Sequence, residues 1–87
     1  MTKETRIESA VVKAAKAAGW DERKFEILPD DPDRLFMKDG RVVFIEFKAP
    51  DKPPRPGQDR RLKELRDNGF EAYLVDDVAF GKALLGV

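Results

Sequence analysis

The amino-acid sequence predicts an α/β fold in which helices flank a mixed β-sheet, with elements in the order α-β-β-β-α-β-α. Three observations lead to this prediction. Apolar residues recur at helical spacing near the N-terminus, the Asp39-Gly40 pair is typical of a tight hairpin turn, and the strand after this turn is apolar on both faces. A strand that is buried on both faces requires cover on both sides of its sheet.

The first helix is predicted over residues 4–18. Ile7 and Val11 belong to its apolar stripe, and Gly19 is suited to end it. A short strand is predicted over residues 25–28, which read Phe-Glu-Ile-Leu. The prolines that follow disfavour helix in the residues before them, so an extended or turned path is expected.

A β-hairpin is predicted with arms over residues 33–38 and 41–48, because the Asp39-Gly40 pair favours a type I′ turn. The second arm is apolar on both faces, with Val42 and Phe44 on one and Val43, Ile45 and Phe47 on the other.

The second half of the chain repeats the alternation of helix and strand. A proline-rich loop over residues 50–57 leads into a helix over 58–68, and a strand follows over 70–75. The last helix is predicted over 78–85, with Asp76 or Asp77 as its N-terminal cap.

Composition limits the chemistry that is available. The 87 residues contain no cysteine and no histidine, which excludes disulfides, Cys/His zinc sites and catalysis by a histidine base. Seventeen basic residues balance seventeen acidic ones, so nucleic acid would have to bind a local basic patch. Hydrolysis would depend on carboxylates, lysines and a hard cation. The length predicts one domain over residues 1–87, and the charged N-terminus and short apolar runs predict no signal peptide or membrane span.

Two carboxylates are predicted to face each other across the hairpin. With Asp39-Gly40 as the turn, Asp33 lies opposite Glu46, and Lys48 lies further along the same face. Opposed carboxylates are destabilising unless a cation lies between them, and oxygen ligands suit Mg²⁺ or Mn²⁺. A lysine beside such a pair can orient or deprotonate a water and offset charge on a phosphate. The pattern indicates a metal-dependent phosphodiesterase, provided that the register does not slip by one residue.

The same residues also allow a purely structural interpretation. Asp33 can be a turn residue after a proline, and Glu46 and Lys48 can pair with each other at an exposed strand end. Gln58 is predicted to point toward the sheet, although it can instead bond the loop backbone at the start of its helix. Glu8 is either a site residue or a first-turn glutamate that interacts favourably with the helix dipole.

Segment 48–66 carries a local excess of positive charge, with seven basic residues against three acidic ones. A phosphate backbone can bind there because each neutralised phosphate releases counterions, and the alternative is an ordinary solvated helix face. The candidate DNA-binding residues are Lys52, Arg55, Arg60, Arg61 and Lys63.

The chain resembles the VRR-NUC domain of the PD-(D/E)xK nuclease superfamily over about residues 6–80. The matching segments are, in order, ESAVVKAAKAAGW, PDRLF, GRVVFIEFKAP, RPGQ and LKELRDNGFEAYLVDD. The resemblance implies a restriction-endonuclease-like core with a mixed sheet flanked by helices. It also implies hydrolysis of DNA phosphodiester bonds with a divalent metal ion.

The resemblance implies a role for each matching position. Asp33 and Glu46 are similar to the metal-binding carboxylates of the family, and the backbone carbonyl of Phe47 to a further metal ligand. Lys48 is similar to the catalytic lysine, and Gln58 to the residue that steadies this lysine or the water.

Two further positions are informative. Glu8 matches the helical glutamate that completes the metal shell of the family, often through water. The family pattern has a glycine two residues before the proline, where this chain has Asp30. Asp30 and Asp31 add negative charge on the side from which DNA would approach, because glycine would allow a closer approach of the backbone.

Free-standing members of this length resemble phage and bacterial nucleases that act as homodimers on branched DNA, including four-way (Holliday) junctions, whereas larger members act on flaps. The resemblance therefore implies a homodimer, with exchanged helices as one arrangement, acting in the cytoplasm of a bacterial cell or phage-infected host. Apolar residues near the C-terminus are candidates to cover the partner: Val78, Phe80, Ala83, Leu84, Leu85 and Val87. The competing interpretation is a non-catalytic module for DNA binding or assembly, against which the intact set of Asp33, Glu46 and Lys48 argues.

Overall fold

One mixed sheet with helices on both faces organises the molecule, in a computed structural model that describes residues 1–87. The elements are α1 (Lys3–Ala17), β1 (Asp21–Lys24), β2 (Arg34–Lys38), β3 (Arg41–Phe47), α2 (Pro56–Asp67), β4 (Glu71–Val75) and α3 (Val78–Leu84). The strand order is β1-β2-β3-β4, and only the β3–β4 pair is parallel. The predicted fold class and element order are confirmed.

Strand β3 is buried on both faces, as its sequence predicts. Val43, Ile45 and Phe47 pack into the larger core with the inner faces of α1 and α3. Phe44 packs on the other face against Leu62 of α2, in a smaller core. The alternation of side chains along a strand thus places the two cores on opposite sides of one sheet.

The hairpin register is the predicted one. Lys38 pairs with Arg41 across the turn, and the ladder continues until Arg34 pairs with Ile45. Asp33 lies one residue before the start of β2, which places it next to Glu46 in the continuation of this register. The turn residue Asp39 has a φ of 50°, as a type I′ turn requires.

The strand predicted over residues 25–28 is wrong, because the first strand is β1, Asp21–Lys24. The apolar residues Ile27 and Leu28 are exposed instead. Strand β1 forms the edge of the sheet and reads Asp-Glu-Arg-Lys. Charged side chains protect an edge strand from pairing with other chains, so its composition reflects its position in the sheet rather than burial.

The C-terminal helix α3 closes the larger core. Asp77, one of the two predicted caps, accepts a hydrogen bond from the N–H of Phe80 through Oδ2 at 2.8 Å. Leu85 is buried, and Val78, Leu84 and Val87 pack against the same core. Most of the apolar residues near the C-terminus therefore serve the chain itself, and Phe80 is the large side chain that remains exposed.

Candidate active site

The C-terminal end of β3 brings together the two carboxylates that the sequence pairs. Oδ2 of Asp33 accepts a hydrogen bond from the backbone N–H of Phe47 at 2.8 Å. The carbonyl of Asp33 accepts another from the N–H of Phe25 at 2.9 Å. These bonds fix Asp33 between the edge strand and β3, and its side chain lies beside that of Glu46.

Glu46 is a carboxylate in a buried position, with an exposure of 3%. Its Oε2 accepts a hydrogen bond from Nε2 of Gln58 at 2.9 Å and lies 4.0 Å from Nζ of Lys48. Its Oε1 is buried and has no hydrogen-bond partner. Since an unpaired buried oxygen is costly, this atom is suited to a partner that the protein itself does not supply.

Gln58 connects Glu46 to the start of α2. It is buried, as its position on the inner face of the helix predicts. Its Oε1 accepts a hydrogen bond from the N–H of Arg55 at 3.0 Å, while its Nε2 donates to Glu46. The residue that Gln58 holds in a fixed position is therefore Glu46, and not Lys48.

The backbone carbonyl of Phe47 points toward Asp33. In a strand, the N–H and C=O of one residue lie on the same side, and the Phe47 N–H is bonded to the Asp33 carboxylate. The neighbouring Lys48 turns its N–H the other way, to the carbonyl of Val75 at 3.0 Å. The Phe47 carbonyl is thus directed to the region just before the start of β2, where Asp33 lies.

Both carboxyl groups hold protons more tightly than usual. Burial, followed by the charge of Asp33, raises the pKa of Glu46 to about 8, although Lys48 lowers it in part. Burial raises the pKa of Asp33 to about 6, against the hydrogen bond from Phe47 and with additional repulsion from Glu8. Near neutral pH a proton on Glu46 removes the repulsion that two adjacent anions would otherwise have.

These groups fit a hard divalent cation. Two carboxylates and a backbone carbonyl are oxygen ligands of the kind that Mg²⁺ and Mn²⁺ prefer, and Oε1 of Glu46 lacks any other partner. No three carboxylates of the chain gather into one metal-binding group. The fit therefore rests on Asp33, Glu46 and the Phe47 carbonyl, with further positions left to water or phosphate oxygen.

Glu8 is paired with an arginine in the structure. Oε2 of Glu8 accepts a hydrogen bond from Nε of Arg34 at 2.6 Å. Arg34 also bonds Glu22 of the edge strand through Nη1, and Glu22 lies 3.6 Å from Nζ of Lys16. The charge of Glu8 still reaches the site, because it raises the pKa of Asp33.

Sequence reasoning missed Arg34, although the sequence contained a signal for it. Arg34 shares a strand parity with Phe36, which is fully buried, so it points to the face that α1 covers. A charged residue on such a face must be paired. Glu8 and Glu22 supply the pairing, and the contact with Glu22 could not be assigned before the position of β1 was known.

The candidate DNA-binding residues differ in their contacts. Lys52 and Arg60 are exposed and make no ion pair. The other three are paired within the chain: Arg55 with Asp30, Arg61 with Asp31 and Glu64, and Lys63 with Asp67. Lys52 lines a cavity of about 220 Å³ next to the start of α1.

The loop before β2 directs two carboxylates at α2. Asp30 has a φ of 75°, in the left-handed region that the glycine of the related pattern adopts readily. Its Oδ1 accepts a hydrogen bond from Nη2 of Arg55 at 3.0 Å, and its carboxylate lies against Gly57, where a Cβ atom would clash. Asp31 is buried, with its Oδ1 3.7 Å from Nε of Arg61.

Comparison with known proteins supports the same interpretation. No family model and no curated protein matches the chain. A solved structure described as a VRR_NUC domain is similar to it with a TM-score of 0.86 and 27% sequence identity, over 99% of this chain and 97% of the other. The resemblance to VRR-NUC domains is therefore confirmed, and with it the nuclease-type fold.

Proposed function

Because the chain has the fold of a VRR_NUC domain, we propose that residues 1–87 form one nuclease domain that hydrolyses DNA phosphodiester bonds with Mg²⁺ or Mn²⁺. The observation that carries the proposal is the unpaired, buried Oε1 of Glu46 beside Asp33. A carboxylate that served only the fold would be expected to have both oxygens bonded or solvated. In Glu46, Oε2 accepts a hydrogen bond from Gln58, whereas Oε1 has no partner.

Each residue of the site has a role that its contacts support. Asp33, Glu46 and the carbonyl of Phe47 would hold the ion, which when bound polarises a phosphate oxygen and acidifies a water. Lys48, with Nζ 4.0 Å from Glu46, would orient that water and offset charge on the phosphate. Gln58 fixes the direction of the Glu46 carboxylate, as a supporting residue does at many metal sites.

The basic residues of the loop and α2 are the proposed DNA contacts. Lys52 and Arg60 are free to bind phosphate, and the contacts of Arg55, Arg61 and Lys63 would have to be exchanged for phosphate contacts. Branched DNA, such as a four-way junction or a flap, is the proposed substrate. We place its action in the cytoplasm of a bacterial cell or phage-infected host.

A homodimer is the proposed assembly, since two sites related by two-fold symmetry can act on the two equivalent strands of a junction. The aromatic side chains of Phe25, Phe44 and Phe70 pack edge to face on the α2 side of the sheet, with centroids 4.9 and 5.9 Å apart. Phe70 is 48% exposed. This surface suits a partner better than the C-terminal residues do, because most of the latter pack against the larger core.

Two assays test the activity. Supercoiled plasmid incubated with Mg²⁺ or Mn²⁺ should be nicked, and EDTA or the Glu46→Gln substitution should prevent nicking. Labelled linear, flap and four-way substrates of matched sequence should then show preferential cleavage of a branched form. Folded protein that binds DNA but cuts no substrate with either metal would favour the non-catalytic module. No helix of the structure is long and apolar enough to cross a membrane.

A further inference from the structure

We propose that Ile27 and Leu28 form an apolar wedge that inserts between bases of branched DNA beside the scissile phosphate. This inference rests on the proposed function and deepens it, because it names residues that would distinguish a branch from a linear duplex. Ile27 and Leu28 are specificity residues in this scheme, since they contact bases and not the reacting phosphate.

Ile27 and Leu28 are consecutive large apolar side chains that the fold leaves in solvent. The exposed fraction is 77% for Ile27 and 54% for Leu28, and neither packs into one of the two cores. The other exposed large apolar residues are Met1, Phe70 and Phe80, which are not adjacent to one another in the chain. Single exposed apolar residues are ordinary, whereas a contiguous pair is a candidate contact surface.

The register of the sheet places this pair at the end where the candidate active site lies. Lys24, the last residue of β1, pairs with Arg34, which directly follows Asp33. The N–H of Phe25 then donates to the carbonyl of Asp33 at 2.9 Å. The chain therefore leaves β1 in contact with Asp33, and the apolar pair follows shortly after this contact.

A closed turn holds the pair in place. The N–H of Leu28 donates to Oδ2 of Asp31 at 2.9 Å, and the N–H of Asp31 donates to the carbonyl of Leu28 at 3.2 Å. Pro29 and Asp30, with a φ of 75° at Asp30, are the residues between them, as a type II turn favours. Asp31 is buried and Pro32 is fully buried, so the turn is anchored in the protein. A side chain on a preorganised loop loses little conformational freedom when it binds.

The surroundings of the pair favour DNA over a second copy of the chain as its occupant. The loop lies between the proposed metal ligand Asp33 and Asp30, whose carboxylate contacts the proposed DNA contact Arg55. DNA that is held by Arg55 and cut at Asp33 must cross this loop, and a second chain docked there would compete with it. Glu26 is exposed beside the pair and repels phosphate, which favours a contact through the faces of bases, since these carry no net charge.

The cost of insertion gives the wedge its selectivity. Isoleucine and leucine are among the side chains that proteins insert between base steps, and the inserted side chain partly unstacks the bases. This unstacking costs least where the bases are already unpaired or single-stranded. Because a branch point offers such bases and a linear duplex does not, insertion should stabilise the complex with branched DNA more than the complex with a duplex.

A fluorescent base analogue tests insertion directly. Four-way junctions that carry 2-aminopurine at single positions around the branch report unstacking as a rise in fluorescence. In a Lys48→Ala background, which prevents cutting, the fluorescence should rise on binding at one or more positions. Adding Ile27→Ser and Leu28→Ser together should abolish this rise. The same pair should weaken junction binding about tenfold relative to linear duplex, which corresponds to the burial of one aliphatic side chain.

Two controls separate insertion from other effects. Ile27→Met combined with Leu28→Met keeps the wedge apolar, so it should retain both the fluorescence rise and the preference for junctions. Phe80→Ser removes an exposed apolar side chain from α3 and should change neither quantity. The serine pair should leave the melting temperature unchanged, because both side chains are exposed.

The outcomes separate the two proposals. A folded protein with the serine pair that keeps the full fluorescence rise and the preference for junctions would overturn the wedge. Conversion of a wild-type dimer to a monomer by the serine pair would also overturn it, because the two residues would then belong to a contact between chains. A wild-type protein that binds no branched DNA would contradict the proposed function itself. Cleavage of branched DNA by the wild type, with no fluorescence rise at any position in the Lys48→Ala background, would contradict the wedge alone.

Discussion

Among single residues, Glu46 has the environment that departs furthest from that of an ordinary carboxylate. Burial and the neighbouring Asp33 raise its pKa to about 8, while Gln58 and Lys48 contact only its Oε2 side. In the absence of metal, a proton on Glu46 removes the negative charge that a bound cation would otherwise neutralise. Metal binding near neutral pH must then displace this proton, so affinity should rise with pH.

The raised pKa values predict how the stability of the metal-free protein depends on pH. A carboxyl that binds its proton more tightly when folded stabilises the fold below its unfolded pKa and loses this contribution as pH passes its folded pKa. For Glu46 the loss extends from about 4.5 to about 8, and for Asp33 from about 3.8 to about 6. The free energy of unfolding in EDTA should therefore fall between pH 6 and pH 8, mainly through Glu46.

Urea denaturation in EDTA at pH 6, 7 and 8 measures this loss. Glu46→Gln keeps the shape of the side chain but cannot ionise, so its unfolding free energy should be nearly flat over the same interval. A variant that loses as much stability as the wild type would show that another group titrates.

Lys48 is predicted to serve the reaction and not the fold. Lys48→Ala should keep the melting temperature and the Mn²⁺ affinity, and should reduce the cleavage rate by about 10²–10³-fold through lost charge stabilisation. Gln58→Ala should lower activity or metal affinity by about 10–100-fold, since Gln58 only orients Glu46. Rates from single-turnover cleavage of a labelled substrate give both numbers, and near-normal cleavage by folded Lys48→Ala would remove the assignment.

At the scale of elements, the hairpin and the start of α2 supply the site together. The loop between β1 and β2, which contains Asp30, adds negative charge next to the start of α2. The loop places Asp30 on Arg55, which otherwise faces the solvent from which DNA would arrive. Asp30 and a phosphate would therefore compete for the same guanidinium.

Asp30→Gly is predicted to tighten DNA binding. Glycine accepts the φ of 75° without strain and frees Arg55 for a phosphate. One added phosphate contact should steepen the salt dependence, log K against log salt, by about 0.9. Fluorescence anisotropy with labelled duplex, in a Lys48→Ala background that prevents cutting, measures the affinity across salt concentrations. Asp39→Gly is the control, because Asp39 also has a positive φ but lies at the exposed hairpin turn. An equal gain in DNA affinity in this control would show that the change in net charge alone explains the effect.

The elements also show what sequence could and could not predict. Turn chemistry at Asp39-Gly40 determined the register, and the register placed Asp33 beside Glu46. The edge strand escaped prediction because its residues are charged and are held by pairing with β2 and not by burial. Arg34 escaped for the same reason, since one of its two partners, Glu22, lies on that strand.

At the scale of the whole molecule, the proposed homodimer has a testable surface. Phe70 and Phe80 are comparably exposed but lie at different places, Phe70 before β4 and Phe80 in α3. Phe70→Asp should give monomers by light scattering, because it places a charge in the surface we assign to the partner, and Phe80→Asp should stay dimeric. The reverse result would show that the C-terminal helix forms the interface. A wild-type protein that stays a monomer of 9.9 kDa in the presence of DNA would exclude a mechanism with paired sites.

Mixed dimers test whether the sites act as a pair. Active protein mixed with excess Lys48→Ala should accumulate junctions that are nicked on one strand, because each mixed dimer has one working site. An undiminished share of fully resolved junctions would show that each chain cuts independently.

The antiparallel hairpin and the parallel β3–β4 pair differ in how far apart their residues lie along the chain. The hairpin can close outward from its two-residue turn, beginning with the Lys38–Arg41 pair and ending with Asp33 beside Glu46. Helix α2, which carries Gln58, packs as part of the β3–β4 crossover, where Val43 pairs with the distant Glu71. Local contacts generally form before distant ones because they close shorter loops. The two repelling carboxylates should therefore be brought together early in folding, before the amide that restrains one of them arrives. A divalent ion present during refolding would then relieve this repulsion in the transition state, and so accelerate folding as well as stabilise its product.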